Sequence, residues 1–590
     1  MSASTDAAQA SRLSYGLWLL PALLFVLCVL PYSLAYLKYH PDERHYTDAA
    51  LEMLQSGDYL TPRTQTGELR FKKPILTYWL IAGSYHLFGV SPLSSRIPFV
   101  LLGAAIIGLT YRLGLKVLHS REAAWLATLI VAVHPTLVIA SSQSIPDVVL
   151  SISLLMGLLG FCELFMDRRQ SATSYWLAYG GLGLGVLAKG IPAVAFAAIA
   201  LGASLWFGEW SDRQRRWKHS LALTMTAIGT AAWFLLVYWQ HGDVMLDEFL
   251  HDQVLDRGHR VWWQPLIHLP QVLGMAVVSF LPWTAWFLFP GRKMKDCLTA
   301  TPSACARRVG NDEDAHADGA GVKQARETRG LLMLWVWSGA YLLLASGVDF
   351  INLRYQVVVI PALSILLASR LMALPAALLE LGLRRQARLM TGALVVTLGV
   401  CFALVAALSG VSWSLMAFVT GTLAWVIWAW HVIPRCGSQS VGLCGAISMM
   451  LLLPCGYFGM EAACPPTIEE QVDRKFSAKS LEHQTLWVVG EPVYASRLRV
   501  VSSGKLSVKF LPGNDLAPIA ADTEASLILF AARTWPTDIS RQFEVIQVLP
   551  ILDVTFPQLF RATFRGDLPE YLGQSQRWAY LAVRRVNGNR

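Results

Sequence analysis

Long apolar runs alternate with short polar loops over most of the chain, and this pattern predicts membrane-spanning helices. A helix needs about eighteen or more apolar residues to cross the roughly 30 Å hydrocarbon core of a bilayer. Such runs lie near 16–37, 93–113, 123–140, 147–166, 174–188, 191–207, 220–239, 271–289, 331–347, 354–374, 389–409, 413–433 and 441–459. We therefore predict a polytopic α-helical membrane protein with about thirteen transmembrane helices.

After residue 460 the pattern changes to short runs of β-branched and aromatic residues. The segments TLWVVG, LRVVSS, LSVKFLPG, ASLILFAA, FEVIQVLP and RWAYLAVRRV predict strands, and 467–482 predicts a polar helix. We therefore predict two domains, a transmembrane domain at 1–460 and a small α/β domain at 461–590. The polar, Ala- and Gly-rich segment 291–329 predicts a linker within the first domain.

The net charge of +9 is spread over short loops, which does not indicate a nucleic-acid partner. Basic loops such as SDRQRRWK and LRRQAR fall on one side of the predicted membrane, and this side should be cytoplasmic. The loops 38–92, 141–146, 240–270 and 348–353, with everything after 460, are then predicted to lie outside. The chain shows no internal repeat, which disfavours an inverted-repeat transporter.

The outer loop at 38–92 contains a patterned helix that begins beside two carboxylates, Asp42 and Glu43. From 43 to 55 one stripe is apolar and the other is polar, which is typical of a helix lying in the membrane interface. The apolar stripe holds Tyr46, Ala49, Ala50, Met53 and Leu54, and the polar face holds Arg44, Asp48, Glu52 and Gln55. Asp42 is either a plain helix cap or a functional carboxylate.

The same loop continues into RFKKPILTYWL, which places Arg70, Lys72 and Lys73 before a second apolar helix. Pro74 suits the first turn of that helix, whose free N–H groups and dipole also favour an anion. Positive charge on an outer loop runs against the orientation rule, and a bound phosphate would account for it. The alternative is that these lysines extend to lipid head groups.

Further charges are predicted at the outer ends of spans, where ionisable groups are candidates for function. Asp147 follows Pro146 at the start of a span, Lys189 lies in a tight hairpin, and Arg257 and Arg260 lie in the 240–270 loop. The alternatives are a helix cap for Asp147, contact with head groups for Lys189 and surface exposure for the two arginines.

These motifs resemble the bacterial lipid A aminoarabinose transferase family, which belongs to the GT-C superfamily and is related to protein O-mannosyltransferases. The first-loop residues that match the family pattern are Asp42, Glu43, Tyr46, Glu52, Met53, Gly57, Asp58, Pro62, Arg63, Lys73 and Pro74. The later motifs SRIP at 95–98, PD at 146–147, LAKG at 187–190 and YQVVVIPAL at 355–363 also match.

The resemblance implies a GT-C fold with interfacial helices in the first outer loop and a periplasmic α/β domain. It implies transfer of a sugar from undecaprenyl phosphate at the outer face of the inner membrane. Asp42 matches the essential carboxylate, and Lys73 and Arg257 match groups that hold the lipid phosphate. Tyr355 matches a tyrosine near the same cavity.

The sequence departs from the family pattern where the family has a carboxylate before the KP lysine, since Lys72 stands there. His45 stands where an arginine is usual, and His251 is shifted from the expected loop histidine. We therefore predict no metal site and no certain cofactor, because a lysine replaces a carboxylate ligand of the family's divalent metal.

We predict an inner-membrane glycosyltransferase with its active site and C-terminal domain facing the periplasm. Its partners would be a polyprenyl-phosphate-linked sugar, such as 4-amino-4-deoxy-L-arabinose, an acceptor such as lipid A or another envelope glycolipid, and membrane lipids. Asp42 and Asp147 are the predicted catalytic residues. The predicted phosphate-binding residues are Lys73, Lys72, Arg257, Lys189 and Tyr355, and the predicted substrate-binding residues are Glu43, Tyr46, Arg63 and Tyr78.

Two alternatives remain at this point. The tyrosines Tyr46 and Tyr78 can be interface anchors. The whole protein can be a transporter or flippase of polyprenyl-linked sugars, although such a protein should carry its ionisable groups near the membrane midplane.

Overall fold

The computed structural model describes residues 19–33, 42–64, 67–166, 171–207, 213–251, 264–284, 319–347, 353–408, 413–435, 437–463, 468, 484–490, 492–502, 506–512, 516–522, 524–532, 542–552 and 576–585. These residues fall into two compact units. The first is drawn from Met1–Ser33, Phe71–Thr77 and Arg96–Ala463, and the second from Leu34–Arg70, Tyr78–Ser95 and Cys464–Arg590. The predicted domain boundary after residue 460 stays a prediction.

A described helix lies at each of the predicted span positions. In chain order the helices are α1 (Leu19–Tyr32), α2 (Glu43–Ser56), α3 (Leu76–Phe88), α4 (Pro92–Leu118), α5 (Arg121–Ala132), α6 (Pro135–Ser141), α7 (Pro146–Phe165), α8 (Ala172–Tyr175), α9 (Gly181–Lys189), α10 (Ile191–Phe207), α11 (Arg213–His241), α12 (Asp243–Leu250), α13 (Gln264–Ser279), α14 (Gly319–Ala345), α15 (Ile360–Met372), α16 (Ala376–Leu408), α17 (Trp413–Val432) and α18 (Ser438–Ala463). A π-helical turn, Trp176–Gly180, joins α8 to α9, and a 3₁₀ segment, Leu353–Val358, precedes α15.

Five described helices are long and apolar enough to cross a bilayer, and a sixth span results if α5 and α6 count together. That pair is bent by 58° at His134, where Pro135 begins the second helix. The described helices therefore support a multi-pass membrane protein, and the number thirteen stays a prediction.

One helix, α7, is buried along its whole length and carries Asp147 in its first turn. A helix that is apolar on all sides is stable only when other helices surround it. Gly160 lets the backbone of Ala178 approach so closely that a Cβ at that position would overlap it. α7 is therefore closely packed within the first unit.

The segment predicted as a linker at 291–329 is partly helical. α14 begins at Gly319, so residues 319–329 are helical, and 291–318 lie outside the described residues. The apolar helix extends at its N-terminal end into this polar segment because the segment contains good helix formers, namely Lys323, Gln324, Ala325, Arg326 and Glu327.

The second unit contains a mixed five-stranded sheet in the order β2-β1-β3-β5-β4. Its strands are β1 (Thr485–Val489), β2 (Ser507–Leu511), β3 (Ala525–Ala532), β4 (Phe543–Leu552) and β5 (Gln576–Arg584). β1 pairs parallel to β2 and β3, whereas β5 pairs antiparallel to β3 and β4. Five of the six predicted strands are present.

Both faces of this sheet are buried, because residues of β1 and β3 alternate between two apolar clusters. Leu486 and Leu529 lie on one side with Leu498, and Val489 and Ile528 lie on the other with Ile519. The helix α20 (Ala517–Ala521) supplies Ile519. Parallel strands normally need such cover on both faces.

The strand predicted at LRVVSS is not present, so this prediction was wrong. Residues 498–501 belong to the helix α19 (Pro492–Val501), which connects β1 to β2. A crossover between neighbouring parallel strands needs a helix to cover the sheet. Tertiary packing of Ala495 and Leu498 against that face therefore overrides the β-propensity of Val500 and Val501. The helix predicted at 467–482 lies almost wholly outside the described residues.

A polar clamp ties the end of α20 to the sheet. The Asp522 carboxylate accepts hydrogen bonds from Lys509 Nζ at 2.7 Å and from Trp487 Nε1 at 2.8 Å. The hydrogen bond from Lys509 is the main cause that lowers the pKa of Asp522 below its ordinary value, opposed by burial and aided by the Trp487 bond. Asp522 therefore stays charged well into the acid range.

Candidate active site

The helix predicted at the start of the first outer loop is present as α2. It closes at Gly57, whose φ of 74° lets its N–H group reach the Met53 carbonyl oxygen. The apolar stripe is buried at Tyr46, Ala49, Ala50 and Met53 and half-buried at Leu54, and the interfacial position of the helix stays a prediction. The Tyr46 ring lies 5.3 Å, centroid to centroid, from the ring of Tyr78 in α3.

Asp42 occupies the N-cap position of α2, but its side chain makes no capping hydrogen bond. Only its backbone carbonyl takes part in the first turn, accepting a hydrogen bond from the His45 N–H at 3.2 Å. A capping carboxylate accepts from the N–H of the second or third helical residue. Plain capping therefore does not account for this carboxylate. Glu43, the next residue, is fully buried.

Arg63 closes a small hairpin that follows α2. Its guanidinium donates a hydrogen bond to the Gly67 carbonyl oxygen at 3.1 Å, and its backbone bridges to Leu69. This geometry gives Arg63 a local structural role in the second unit. Its predicted role in substrate binding, like those of Glu43, Tyr46 and Tyr78, stays a prediction.

The two lysines of the KKP motif follow an anchor at Phe71, in the first unit. Phe71 is fully buried, its ring lies 5.5 Å from that of His241, and its N–H donates to Glu248 Oε2 at 2.8 Å. Lys72 is exposed and Lys73 is half-buried, and Lys73 Nζ donates to the Lys72 carbonyl oxygen at 3.1 Å. The sequence pattern offered no signal for Glu248, which lies on α12.

The predicted hairpin between α9 and α10 turns at Gly190, next to Lys189. Gly190 has φ 77° and ψ −141°, a conformation that residues with a Cβ rarely adopt. A Cβ there would lie 2.9 Å from Phe249 Cζ and 3.7 Å from Pro74 Cγ. The Lys189 hairpin, α12 and the Lys73–Pro74 segment therefore pack against one another.

Replacing Gly190 with alanine should destabilise this corner of the protein by about 1–3 kcal/mol, because the backbone becomes strained and the new methyl group overlaps Phe249. Thermal unfolding of the purified protein in detergent checks this. Gly202→Ala in α10 is the matched control, since a Cβ there meets nothing within 4 Å. Equal unfolding temperatures for the two variants would contradict the prediction.

Asp147 forms the centre of a charged cluster at the N-terminal end of α7. One carboxylate oxygen pairs with Lys189 Nζ, and the other lies 3.3 Å from Arg354 Nε. The side chain of Asp147 is 5% exposed, against 17% for Lys189 and 14% for Arg354. Two cations thus share one buried carboxylate, which leaves the cluster with an excess positive charge.

Tyr355 lies between the two cations. Lys189 Nζ is 4.6 Å and the Arg354 guanidinium carbon is 5.8 Å from the centre of its ring. Its backbone carbonyl accepts a hydrogen bond from the Tyr341 hydroxyl at 2.6 Å, and Ser151 of α7 donates to the Val357 carbonyl at 3.0 Å. The 3₁₀ segment is therefore fixed on α7, with Tyr355 over the cluster.

The geometry of this cluster argues against two of the alternative roles that the sequence left open, one for Asp147 and one for Lys189. Ile145, and not Asp147, is the N-cap of α7, so capping is wrong as the role of Asp147. Lys189 pairs with Asp147, so contact with head groups does not describe it. Arg354 was missed, although it is an ionisable residue at the outer end of a predicted span, the signal that had singled out the other two.

Arg257 and Arg260 lie outside the described residues, and His251 is exposed at the C-terminal end of α12. Among the residues that the structure describes, no three His, Cys, Asp or Glu side chains approach one another as metal ligands would. An ammonium group at Lys72 would repel a divalent cation, and the absence of a metal site stays a prediction.

The cluster is suited to bind an anion. Lysine and arginine beside an aromatic ring, partly withdrawn from water, bind phosphate through charge-assisted hydrogen bonds. The segment that carries Lys73 lies near the turn that follows Lys189, since a Cβ on Gly190 would be 3.7 Å from Pro74 Cγ. The first unit therefore gathers cations from three distant parts of the sequence.

Comparison with known proteins agrees with this geometry. Residues 17–245 match the dolichyl-phosphate-mannose-protein mannosyltransferase family. The chain is 29% identical over 277 residues to an uncharacterized protein of Aquifex aeolicus, covering 46% of this chain and 52% of the relative. It is 26% identical over 289 residues to the undecaprenyl phosphate-alpha-4-amino-4-deoxy-L-arabinose arabinosyl transferase of Edwardsiella ictaluri, covering 46% of this chain and 49% of the relative.

Among solved structures, the chain is similar to ArnT from Cupriavidus metallidurans in the apo state and bound to undecaprenyl phosphate. Each comparison has a TM-score of 0.61 and 18% identity, and covers 90% of this chain and 96% of ArnT. The sequence matches, in contrast, span about half the length of the curated relatives.

The chain therefore has a helical membrane fold similar to that of ArnT. The resemblance to the aminoarabinose transferase family that was predicted from the first outer loop is confirmed.

Proposed function

We propose that this protein is an inner-membrane glycosyltransferase that moves a sugar from undecaprenyl phosphate to an envelope acceptor on the periplasmic side. The observation that carries the proposal is the cluster of Asp147, Lys189 and Arg354 around Tyr355, beside the Lys73 segment. The excess positive charge suits a lipid phosphate. The similarity to curated arabinosyl transferases and to ArnT bound to undecaprenyl phosphate supports the same donor.

In the proposed reaction an acceptor oxygen attacks the anomeric carbon of the sugar, and the bond from that carbon to the lipid phosphate oxygen breaks. The phosphate leaves with the bonding electrons, so no acid is needed on it. Lys73, Lys189 and Arg354 stabilise the charge that develops, assisted by Lys72 and Arg257. Asp42 positions the acceptor and takes its proton where the acceptor is a hydroxyl group. A single displacement inverts the anomeric configuration.

No step of this scheme requires a metal ion, in agreement with Lys72 at the carboxylate position. We further propose thirteen spans, a C-terminal domain and active site that face the periplasm, 4-amino-4-deoxy-L-arabinose as the sugar and lipid A as the acceptor. The curated relatives support this sugar by their names.

The test is sugar transfer by the purified protein in detergent. We expect the protein to transfer sugar from an undecaprenyl-phosphate-linked donor to lipid A, with inversion at the anomeric carbon, as read by mass spectrometry and nuclear magnetic resonance of the product. Movement of the donor across vesicle membranes without transfer would instead support a flippase. Comparing lipid A from cells with and without the gene identifies the sugar.

A further inference from the structure

The polar face of α2 is occupied by an arginine from the C-terminal half of the same compact unit. Arg499 of α19 donates from Nη1 to Asp48 Oδ1 at 2.8 Å and from Nη2 to Glu52 Oε1 at 2.5 Å. Nη2 also donates to Gln55 Oε1 at 3.2 Å. Three of the four residues of the predicted polar face thus bind one guanidinium group.

This contact, which we call the Arg499 clasp, is buried at Arg499 and Asp48 and partly exposed at Glu52. The side chain of Arg499 is 9% exposed, that of Asp48 is 6% exposed and that of Glu52 is 25% exposed. A planar guanidinium can bind two carboxylates at once in a fixed geometry, which an ammonium group cannot. The clasp therefore fixes both the distance and the rotation of α2 relative to α19.

The opposite face of α2 is fixed as well. Asp48, Glu52 and Gln55 recur at helical spacing on one side, whereas Tyr46 and Met53 lie on the other. There Tyr46 packs against Tyr78, and both rings are buried. A helix held on two faces has little freedom to rotate about its axis. Asp42 directly precedes the first residue of this helix, and its side chain makes no capping hydrogen bond.

We propose that Arg499 is a positioning residue of the transferase, which sets the orientation of α2 and through it the carboxylate of Asp42. The C-terminal part of the second unit then contributes to the reaction indirectly, by positioning α2. This inference rests on the proposed function, because it assigns Arg499 a role in the sugar transfer that Asp42 assists.

The decisive variant is Arg499→Lys, which keeps the positive charge but loses the forked geometry. We expect kcat for sugar transfer to fall about tenfold, with KM for the lipid donor within twofold of wild type. A role in stability alone predicts the opposite pattern, with a lower unfolding temperature and unchanged kcat in the folded fraction. Arg584→Lys is the matched control, since Arg584 lies on β5 of the same unit over Phe543, and its kcat should stay within twofold.

Hydrogen exchange gives a second measurement on the same variant. Amides of α2 should exchange faster in Arg499→Lys, while those of α7 should not change. Wild-type kcat in a folded Arg499→Lys protein, or a loss confined to KM, would overturn the proposal. An inactive wild-type protein would instead refute the proposed function, so the two failures are distinguishable.

Discussion

Replacing Asp42 with asparagine is expected to lower kcat for sugar transfer by about 10²–10⁴-fold, the usual contribution of a positioned acid or base. The amide has the same shape but cannot take a proton from the acceptor. Folding should not suffer, because asparagine is as good at an N-cap as aspartate, and the Asp42 side chain makes no capping bond. Binding of the lipid donor should be unchanged.

The measurement is the rate of sugar transfer at a saturating concentration of donor. Donor binding is measured separately, as the rise in unfolding temperature that the donor causes. Glu68→Gln serves as the control, because Glu68 is an exposed carboxylate in the same loop. It should transfer sugar at the wild-type rate. If Asp42→Asn also retained that rate, Asp42 would have no part in the chemistry.

Replacing Asp147 with asparagine should have the second-largest effect, on both stability and activity. Lys189 and Arg354 would then lie partly buried beside each other without their shared counter-charge. Breaking a buried ion pair in this way costs about 3–5 kcal/mol. The added positive charge should not weaken binding of the lipid phosphate. The cations lose their alignment, however, and we expect kcat to fall about 10²-fold with no rise in KM.

Lys189→Met separates these effects. It removes one cation and leaves Asp147 paired with Arg354, so its loss of stability should be smaller, while KM for the donor should rise. The double variant, combined with the two single ones, gives the coupling free energy between Asp147 and Lys189. A loss of stability in Lys189→Met as large as that in Asp147→Asn would contradict this charge balance.

The apolar runs of the first unit were predictable because hydropathy is a property of neighbouring residues. Each predicted span position holds a described helix, and the bend at Pro135 is the main departure. Charge at the predicted outer span ends and matches to motifs led to the prediction of five site residues, Asp42, Lys73, Asp147, Lys189 and Tyr355. Whether Asp42 and Lys73 serve one reaction stays a prediction, and the Asp42→Asn measurement tests the part of Asp42.

Contacts between residues that lie far apart in the sequence were not predictable in the same way. Glu248 binds the Phe71 N–H across 177 positions, and Arg499 binds Asp48 across 451 positions. No local pattern identifies such partners, since a buried carboxylate accepts any donor that packing brings near. The same applies to α19, where a β-branched segment is helical because it crosses over a parallel sheet.

By itself the sequence determined the membrane class, the α2 helix, five strands and the carboxylate and lysines of the first loop, because periodicity and motif are local. The tertiary structure alone decided that Arg354 shares Asp147 with Lys189, that the KKP segment meets the Gly190 turn, and that Arg499 holds α2. The physical reason is that a buried charge requires a partner, and packing of distant elements chooses which one.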